Sequence, residues 1–397
     1  MKEKLKLNFL VFAVLVLYPL LLVGLGIWYY MNFGIGFFEI MLLVATYYLA
    51  NISIGVGLHR CWSHGAYKLN KYVELFFALV SAGTLQGPAL VWCSDHFKHH
   101  TYTDKDGDPH SPLKYDNPWK GFFWAHMGWM LFGEGKKHVD KITMAKLGRN
   151  KILRWQMKYY WQIAVYMNAI LPPIIGYFAS GMTIKGAIAG FIFMGLARAL
   201  QQQMTFCVNS YTHFVGDTPY AISTARDSWW LFPFLLGENW HNFHHAFPMD
   251  YRNGVKWYHP DIHKWIIWCL EKLGLATGVV RTSDVRIKAK LEETIKQKKS
   301  LMKDELSFVE QAANYMAKVA QERLQKAEKS AELLKAKAKV QMELLYKISR
   351  ELADNVSITL ASKDEMQSKI IAKYHKKLSE IERMANRLNI FVPATKA

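Results

Sequence analysis

Four stretches of predominantly apolar residues limit most strongly what this chain can fold into. They run from Phe9 to Tyr30, Gly36 to Leu58, Tyr160 to Ser180 and Ile184 to Val208. A helix of about 20 apolar residues crosses the hydrocarbon core of a bilayer, and a helix satisfies its own backbone polar groups there. The sequence therefore predicts an all-α integral membrane protein with four transmembrane helices.

The positively charged residues predict how these helices are oriented. The links "MNFG" and "GMT" contain no Lys or Arg, whereas "MKEKLK", "GKKHVDK" and the chain after Tyr251 are rich in both. Because basic segments stay in the cytoplasm, we expect both termini and the large middle segment there, at a bacterial inner membrane. The first apolar stretch is too long for a signal peptide and lacks a cleavage pattern, so we interpret it as a retained helix.

A fifth apolar stretch, Tyr72 to Val91, is interrupted by polar residues, glycines and Pro88. If it crossed the membrane, the histidines before and after it would lie on opposite faces. We therefore expect an amphipathic or re-entrant segment near the interface. A fifth span is the alternative.

The histidines are concentrated in four short segments. "HFKHH" and "HNFHH" share an i, i+3, i+4 spacing, which puts three imidazoles on one helix face, and "NSYTH" places Asn209 one turn before a histidine. Together with "HRCWSH", these segments contain His59, His64, His96, His99, His100, His213, His241, His244 and His245. In the predicted topology all four segments emerge on the same side of the membrane, which favours a shared metal centre.

The number and type of these donors suggest two ions. Nine imidazoles and one Asn are too many for one ion with four to six ligands, and closely packed imidazoles would repel as cations unless a metal held them neutral. Imidazole donors suit Fe, Cu, Zn or Ni. The chain has one Glu-x-x-His, "ENWH", and four scattered cysteines, so a carboxylate di-iron site and a thiolate zinc site are not indicated. Iron is favoured by the location. A metal pair at the mouth of a bilayer is well placed to act on an acyl chain, whose unactivated C–H bonds require O₂ chemistry.

These segments resemble the membrane-bound fatty acid desaturases of the delta-9 type. The resemblance is carried by "GLHRCWSH", "HFKHHTYTD", "NSYTH" and "GENWHNFHHAFP", and it extends through "GDPHSP", "WKGFFWAHMGWMLF" and "LEKLGLATGV". It covers roughly Phe9 to Arg281. It implies four transmembrane helices under a cytoplasmic helical cap, where the nine histidines hold two iron ions that cycle between Fe²⁺ and Fe³⁺. With O₂ and two electrons per turnover, such enzymes insert a cis double bond into a saturated acyl chain.

The resemblance also implies roles for individual residues. Asn209 matches a position that reaches a metal through water, Trp92 one that lines the bent acyl tunnel, and Asp95 one near the substrate headgroup. No catalytic residue beyond the metal ligands is implied. Gly133 and Glu134 stand where animal acyl-CoA members carry an Arg-Lys pair. The acyl carrier therefore stays open between CoA, a glycerolipid and acyl carrier protein.

The expected partners follow from the same resemblance. They are a fatty acyl chain (acyl-CoA or acyl-lipid), the lipid bilayer and an external electron donor of the cytochrome b5, ferredoxin or rubredoxin type, because no "HPGG" haem motif is present. We expect no nucleic-acid partner. We expect Asp95, Asp104 or Glu238 to hold the outer ring nitrogens of the ligand histidines. Arg198 and Gln201–Gln203 either line the tunnel or bond helix to helix.

The composition changes after Val285, which divides the chain into a membrane desaturase domain, 1–285, and a charged helical extension, 286–397. The extension holds 24 Lys and Arg against 15 Asp and Glu, a net charge of +9 out of +18. An apolar stripe with coiled-coil spacing follows Leu324, Ala327, Ala331, Leu334, Ala338, Gln341, Leu345, Ile348 and Leu352. This stripe predicts self-association or docking of a partner, and a solvated helical hairpin is the alternative.

Two other functions are compatible with these residues. A fatty acyl or alkane hydroxylase, or another monooxygenase, could use the same di-iron centre. A non-catalytic membrane scaffold could instead bind zinc through the histidines, although nine converging donors argue against it.

Overall fold

The computed structural model describes residues 6–133 and 139–327, and further on 340–341, 343–345, 347–348 and 351. In chain order its main helices are α1 (Phe9–Phe33), α2 (Phe37–Ser63), α3 (Lys71–Gly83), α4 (Ala89–Tyr102), α5 (Pro118–Phe123), α6 (Trp129–Phe132), α7 (Lys141–Leu147), α8 (Lys151–Lys158), α9 (Tyr160–Ala179), α10 (Ile184–His213), α11 (Phe232–Leu235), α12 (His241–Ala246), α13 (Ile262–Lys272) and α14 (Asp284–Ala327). A π-helix, Trp124–Gly128, joins α5 to α6, and 3₁₀-helices cover Pro112–Lys114 and Trp229–Leu231. Two short strands, β1 (Lys68–Leu69) and β2 (Ala276–Thr277), pair antiparallel.

Helices α1, α2, α9 and α10 are long and apolar enough to cross a membrane. They confirm the four predicted spans and the all-α membrane fold. Short turns at 34–36 and 180–183 join them in pairs at one end, which we call the far end. The opposite end, where α2 and α10 reach the histidines, we call the histidine end. The predicted side of the membrane for each end remains a prediction.

Glycines let α9 and α10 approach closely. A Cβ atom added to Gly176 would lie 2.1 Å from the Gly186 carbonyl oxygen, and one added to Gly190 would lie 2.2 Å from the Pro172 carbonyl oxygen. Neither position can accept a side chain without separating the two helices. Small residues of this kind let helices pack where lipid offers no hydrophobic driving force.

The last eleven residues of α2, Ser53–Ser63, form a π-helix. Ten of them, from Ser53 to Trp62, are buried. The wider π turn changes the rotation between successive side chains and is frequent at functional sites. Here it lies where α2 leaves the apolar part of the bundle and brings the first histidine segment into the cap.

The ambiguous fifth stretch forms two helices instead of a span. α3 has 13 residues and α4 has 14, and a turn with Leu85 and Gly87 at positive φ separates them. Each is shorter than the roughly 20 residues that a crossing requires. The break agrees with a bundle of four spans and keeps the histidines before and after it at one end.

The polar residues of α10 bond to neighbouring segments. Gln201 accepts a hydrogen bond from Gln86 at 3.1 Å, and Gln202 donates to the Thr84 carbonyl at 2.7 Å. Arg198 is buried, and its guanidinium lies 3.5 Å from the Asn168 side-chain oxygen. These contacts favour the helix-to-helix interpretation over a tunnel lining.

Chain contacts divide the molecule into two units, Met1–Ile295 and Lys296–Ala397. The division falls within α14, ten residues beyond the predicted boundary at 285/286, which stays a prediction. Of the proposed coiled-coil stripe, Ala331, Leu334, Ala338 and Leu352 lie outside the described residues. The coiled coil and the self-association therefore stay predictions.

Candidate metal centre

The nine histidines lie in two groups at the histidine end. The five-histidine group is His59, His64, His96, His100 and His244, and the four-histidine group is His99, His213, His241 and His245. Within each group, one ring nitrogen per residue lies within 4.8 Å of all the others. The i, i+3, i+4 segments on α4 and α12 each supply both groups. On α4, His96 and His100 belong to the five-histidine group and His99 to the four-histidine group. On α12 the assignment is reversed: His241 and His245 belong to the four-histidine group and His244 to the five-histidine group.

The spacing of the ring nitrogens fits metal coordination. The Nε2 atoms are 2.8 Å apart in the pair His64–His96, 3.0 Å in His59–His244 and 3.1 Å in His213–His241. Two ligands at right angles, with metal–nitrogen bonds of about 2.1 Å, would lie about 3 Å apart. The donors therefore already have the separation that an ion would require.

Burial favours the uncharged form of several of these imidazoles. It lowers the pKa of His96, His244 and His245 well below the ordinary value, and the neighbouring imidazoles lower these pKa values further. The same two causes lower the pKa of His64 and His241. Histidine binds a metal only as the neutral ring, so the fold holds the side chains in the form that coordination requires.

Three of the candidate ligand histidines are oriented through their outer ring nitrogens. His59 Nδ1 lies 2.6 Å from a Glu238 carboxylate oxygen, and His99 Nδ1 lies 3.0 Å from both oxygens of Asp108. His213 Nδ1 lies 2.7 Å from the hydroxyl of Thr224. These contacts direct each Nε2 atom toward its group, as in many histidine metal sites.

The predicted outer acceptors are only partly those seen. Glu238 contacts its histidine directly. Asp104 acts one step further away, because its carboxylate accepts hydrogen bonds from the hydroxyl and the backbone N–H of Thr224. Asp95 bonds to none of the ligand histidines, and one of its oxygens is buried without a partner among the described residues. Burial raises the pKa of Asp95 to about 7, against the effect of Lys98.

Glu238 belongs to a buried ionic network. Its Oε1 atom accepts hydrogen bonds from Arg60 at 2.9 Å and from His263 at 2.9 Å, and Arg60 also pairs with Asp261 at 3.0 Å. Burial alone would raise the pKa of Glu238, but His59 and Arg60 outweigh it and hold that pKa well below its usual range. The carboxylate therefore stays ionised beside the five-histidine group.

A distant loop fixes the start of α12, the helix that carries three of the histidines. Asp227 accepts hydrogen bonds from the backbone N–H groups of Asn242 at 2.7 Å and Phe243 at 3.2 Å. The side chain of Asn242 in turn donates to the Ala221 and Ala225 carbonyls, both at 2.8 Å. Because the first N–H groups of a helix have no partner within it, these contacts satisfy them and hold α12 in place.

A cavity of about 40 Å³ adjoins the five-histidine group. Its lining includes His59, His96, Trp92 and Asn209, with apolar side chains such as Leu235. The Trp92 ring stacks on the His96 ring, with centroids 5.1 Å apart. Trp92 and Asn209, both implied by the resemblance, therefore lie beside the candidate metal positions, whereas Asp95 does not line this cavity.

Comparison with known proteins identifies the family. The model of the "Fatty acid desaturase" family matches residues 37–279, which is more than half of the chain. The chain belongs to the fatty acid desaturase family. The matched region contains both histidine groups, the cavity lining and the Glu238 network, and it leaves all of α14 outside.

Individual desaturases show the extent of this similarity. Acyl-CoA desaturase 1 of Saccharomyces cerevisiae is 32% identical over 67% of this chain and 50% of its own length. A probable acyl-CoA desaturase of Schizosaccharomyces pombe is 35% identical over 59% of this chain and 48% of its own. Delta-9 acyl-lipid desaturase 1 of Arabidopsis thaliana is 32% identical over 60% and 74%. The chain spans about half the length of the two yeast desaturases.

Sequence reasoning missed several residues of this site. Asp108 lies within "GDPHSP", a segment of the desaturase resemblance, so its carboxylate beside two histidines could have been noticed. Thr224, Asp227 and Asp261 carry no local signal, because they meet the histidine segments only through the fold. Metal binding by the ten predicted donors remains a prediction.

Proposed function

We propose that this protein is an O₂-dependent fatty acyl desaturase of the delta-9 type with two histidine-bound iron ions. It inserts a cis double bond into a saturated acyl chain, using two electrons from a separate donor protein. The observation that carries the proposal is the gathering of nine imidazoles into two groups beside a cavity with apolar walls.

Several features support iron at these groups. The two groups supply imidazoles at coordination spacing, which are compatible with Fe as they are with Cu, Zn and Ni, and Asn209 adds an amide at the cavity wall. When bound, an iron pair with O₂ supplies the oxidising power needed to remove hydrogen from unactivated methylene groups. The relatives are named as acyl-CoA and acyl-lipid desaturases, so the proposal specifies an acyl chain and leaves its carrier open.

The chain's own residues would position the substrate and the ligands. An alkyl chain has no polar group at the reacting carbons, so the position of the double bond must come from how far the chain enters. Trp92 and Leu235 form apolar walls at the five-histidine group, where each buried methylene contributes about 0.8 kcal/mol. Glu238 and Asp108 fix ring orientation, and the buried surroundings keep water from the oxidising site.

The proposed arrangement in the membrane follows the loop charges. The far end, with its links free of Lys and Arg, would face the outside, and the histidine end with both termini would face the cytoplasm. A cytoplasmic electron donor of the cytochrome b5, ferredoxin or rubredoxin type would then reach the site.

Lipid profiling of an expressing host tests the proposal. Mass spectrometry with double-bond localisation should detect a new monounsaturated chain, which His96→Ala abolishes and His259→Ala retains, since His259 lies in neither group. A hydroxylated chain without a new alkene would instead indicate the hydroxylase. Purified protein with tightly bound zinc, no iron and no change in host lipids would indicate the scaffold.

A further inference from the structure

The segment Trp229–Leu235, "WWLFPFL", is an apolar part of the cap that belongs to none of the four spans. Trp229 is 71% exposed, Trp230 44% and Phe234 46%. The ten residues 228–237 include no charged side chain. Exposed aromatic rings in an uncharged segment of a membrane protein are typical of a surface at the membrane–water interface.

The backbone of this segment is bonded to the side of a transmembrane helix. The Phe234 carbonyl accepts hydrogen bonds from the Tyr47 hydroxyl and the Asn51 amide, both at 2.7 Å. The Pro233 carbonyl accepts one from the Tyr48 hydroxyl at 3.3 Å, and Pro233 itself has no N–H group to satisfy. Three side chains of α2 thus serve two adjacent carbonyls.

Three side-chain donors to two adjacent carbonyls indicate that water does not reach these carbonyls. A carbonyl in an aqueous loop is hydrated and needs no protein donor, whereas irregular backbone at membrane depth persists only where protein groups satisfy it. Other turns of the segment are closed by its own backbone, as in the bonds from Phe232 N–H to the Trp229 carbonyl and from Leu236 N–H to the Phe232 carbonyl at 2.9 Å. The segment is therefore built as a membrane segment would be.

The position of the donors along α2 gives the depth. At roughly 1.5 Å per residue, Tyr47 and Asn51 lie about 15 and 21 Å from Phe37 at the far end. The hydrocarbon core is about 30 Å thick. With Phe37 at one boundary, the Phe234 carbonyl lies between the bilayer midplane and about 6 Å beyond it, in the leaflet at the histidine end.

We propose that Trp229–Leu235 is a wedge inserted into the bilayer leaflet at the histidine end, with phospholipid as its partner. The wedge would fix the cap against the membrane from outside the four spans. It would also bring lipid close to the cavity, because Leu235 lines the cavity while the adjacent Phe234 is exposed. The proposal does not depend on the activity proposed above.

Fluorescent labels at single cysteines test the wedge. Full-length protein with Cys207→Ala and Cys269→Ser keeps only the buried Cys61 and Cys93. Trp229→Cys and Phe234→Cys are each labelled in this background and placed in phosphatidylcholine nanodiscs with or without acyl-chain bromination. Ile222→Cys is the matched control. Ile222 is 48% exposed and lies two residues before Thr224, which contacts His213 at the end of α10. That end of α10 is about 40 Å from Ile184 at the far end, which is farther than the hydrocarbon core is thick, so a label at 222 should lie in water.

If the segment is inserted in the leaflet, brominated lipid should quench the labels at 229 and 234 severalfold more than the label at 222. Iodide in the water should quench them severalfold less. If iodide reaches position 229 or 234 as readily as position 222, and bromination has no effect, the segment lies in water or against protein and the proposal is wrong. The two positions test it separately, so a variant that fails to fold leaves the other to decide.

Discussion

The five-histidine and four-histidine groups lie side by side, but different carboxylates support them. Behind the five-histidine group, Glu238 holds His59 and also pairs with the buried guanidinium of Arg60. Behind the four-histidine group, Asp108 holds His99, and no Lys or Arg in the described ranges pairs with Asp108. The charge of Glu238 is partly balanced by Arg60, which also pairs with Asp261, whereas Asp108 lies beside two imidazoles, those of His99 and His110.

This difference separates two tasks that a carboxylate can perform at a metal site. An ionised partner raises the basicity of a ligand imidazole, so Asp108 should strengthen the group that has fewer donors. A buried ion pair contributes little net stability but is costly to break, so Glu238 should affect folding as much as coordination. The following variants test this division.

Removing one ligand from either group should have the largest effect. We expect His64→Ala and His241→Ala each to lower the iron content from two ions per chain to one and to abolish desaturation, because each variant leaves one position incomplete. Metal analysis of purified protein measures the loss. His259→Ala is the control, since its ring stacks on Trp240 outside both groups and should not change the iron content. Two ions retained in either ligand variant would contradict the assignment of ligands.

Glu238→Gln should destabilise the fold itself. It leaves the buried Arg60 with part of its counter-charge removed, and breaking one partner of a buried ion pair costs about 3–5 kcal/mol. Denaturant unfolding of the metal-free protein measures this without interference from iron. Glu271→Gln removes the acid of the exposed pair with Arg281 and should cost less than about 1 kcal/mol. Equal losses in the two variants would show that Glu238 has no special role in folding.

The parts of this site that sequence predicted are those with a local signal. A span needs only length and hydropathy, and the histidine segments show their spacing within five residues, so the four spans and the candidate ligands could be read directly. Asp227 is fifteen residues from the Asn242 N–H that it caps, and Asp261 is 201 residues from Arg60. No periodicity links residues that meet only after the helices have packed.

The prediction about Asp95 shows a second limit. Asp95 was one of three acids expected as possible partners of the outer ring nitrogens, but on α4 successive residues point in different directions, so Asp95 does not follow its neighbour His96 toward the ligand groups. Asp108, nine residues beyond His99, performs that role because the chain turns back after α4. Of the three acids offered as alternatives, Asp95 therefore holds none of the outer ring nitrogens, and Glu238 does so directly.

Asp108→Asn should weaken metal binding without weakening the fold. Loss of such a carboxylate typically lowers metal affinity about 10–100-fold, and here no described Lys or Arg is left unpaired. Chelator titration followed by Mössbauer spectroscopy of ⁵⁷Fe should show loss from one of the two positions, with unfolding of the metal-free protein unchanged. Asp106→Asn, on an exposed residue two positions earlier, is the control. Equal loss from both positions would mean that the two groups do not differ as described.

The smallest effect should come from the indirect contact to the same group. Thr224→Val removes the hydroxyl that links His213 to Asp104, whereas Thr224→Ser keeps a hydroxyl there. Because a neutral hydroxyl passes on only part of the carboxylate's influence, we expect Thr224→Val to lower the metal affinity by less than about tenfold, which is the smallest loss typical of removing a direct carboxylate. The same chelator titration measures it, and serine should restore the affinity. If Thr224→Val lowers the metal affinity as much as Asp108→Asn does, Asp104, acting through Thr224, supports the four-histidine group as strongly as Asp108 does. The four-histidine group would then depend on two carboxylates and not on Asp108 alone.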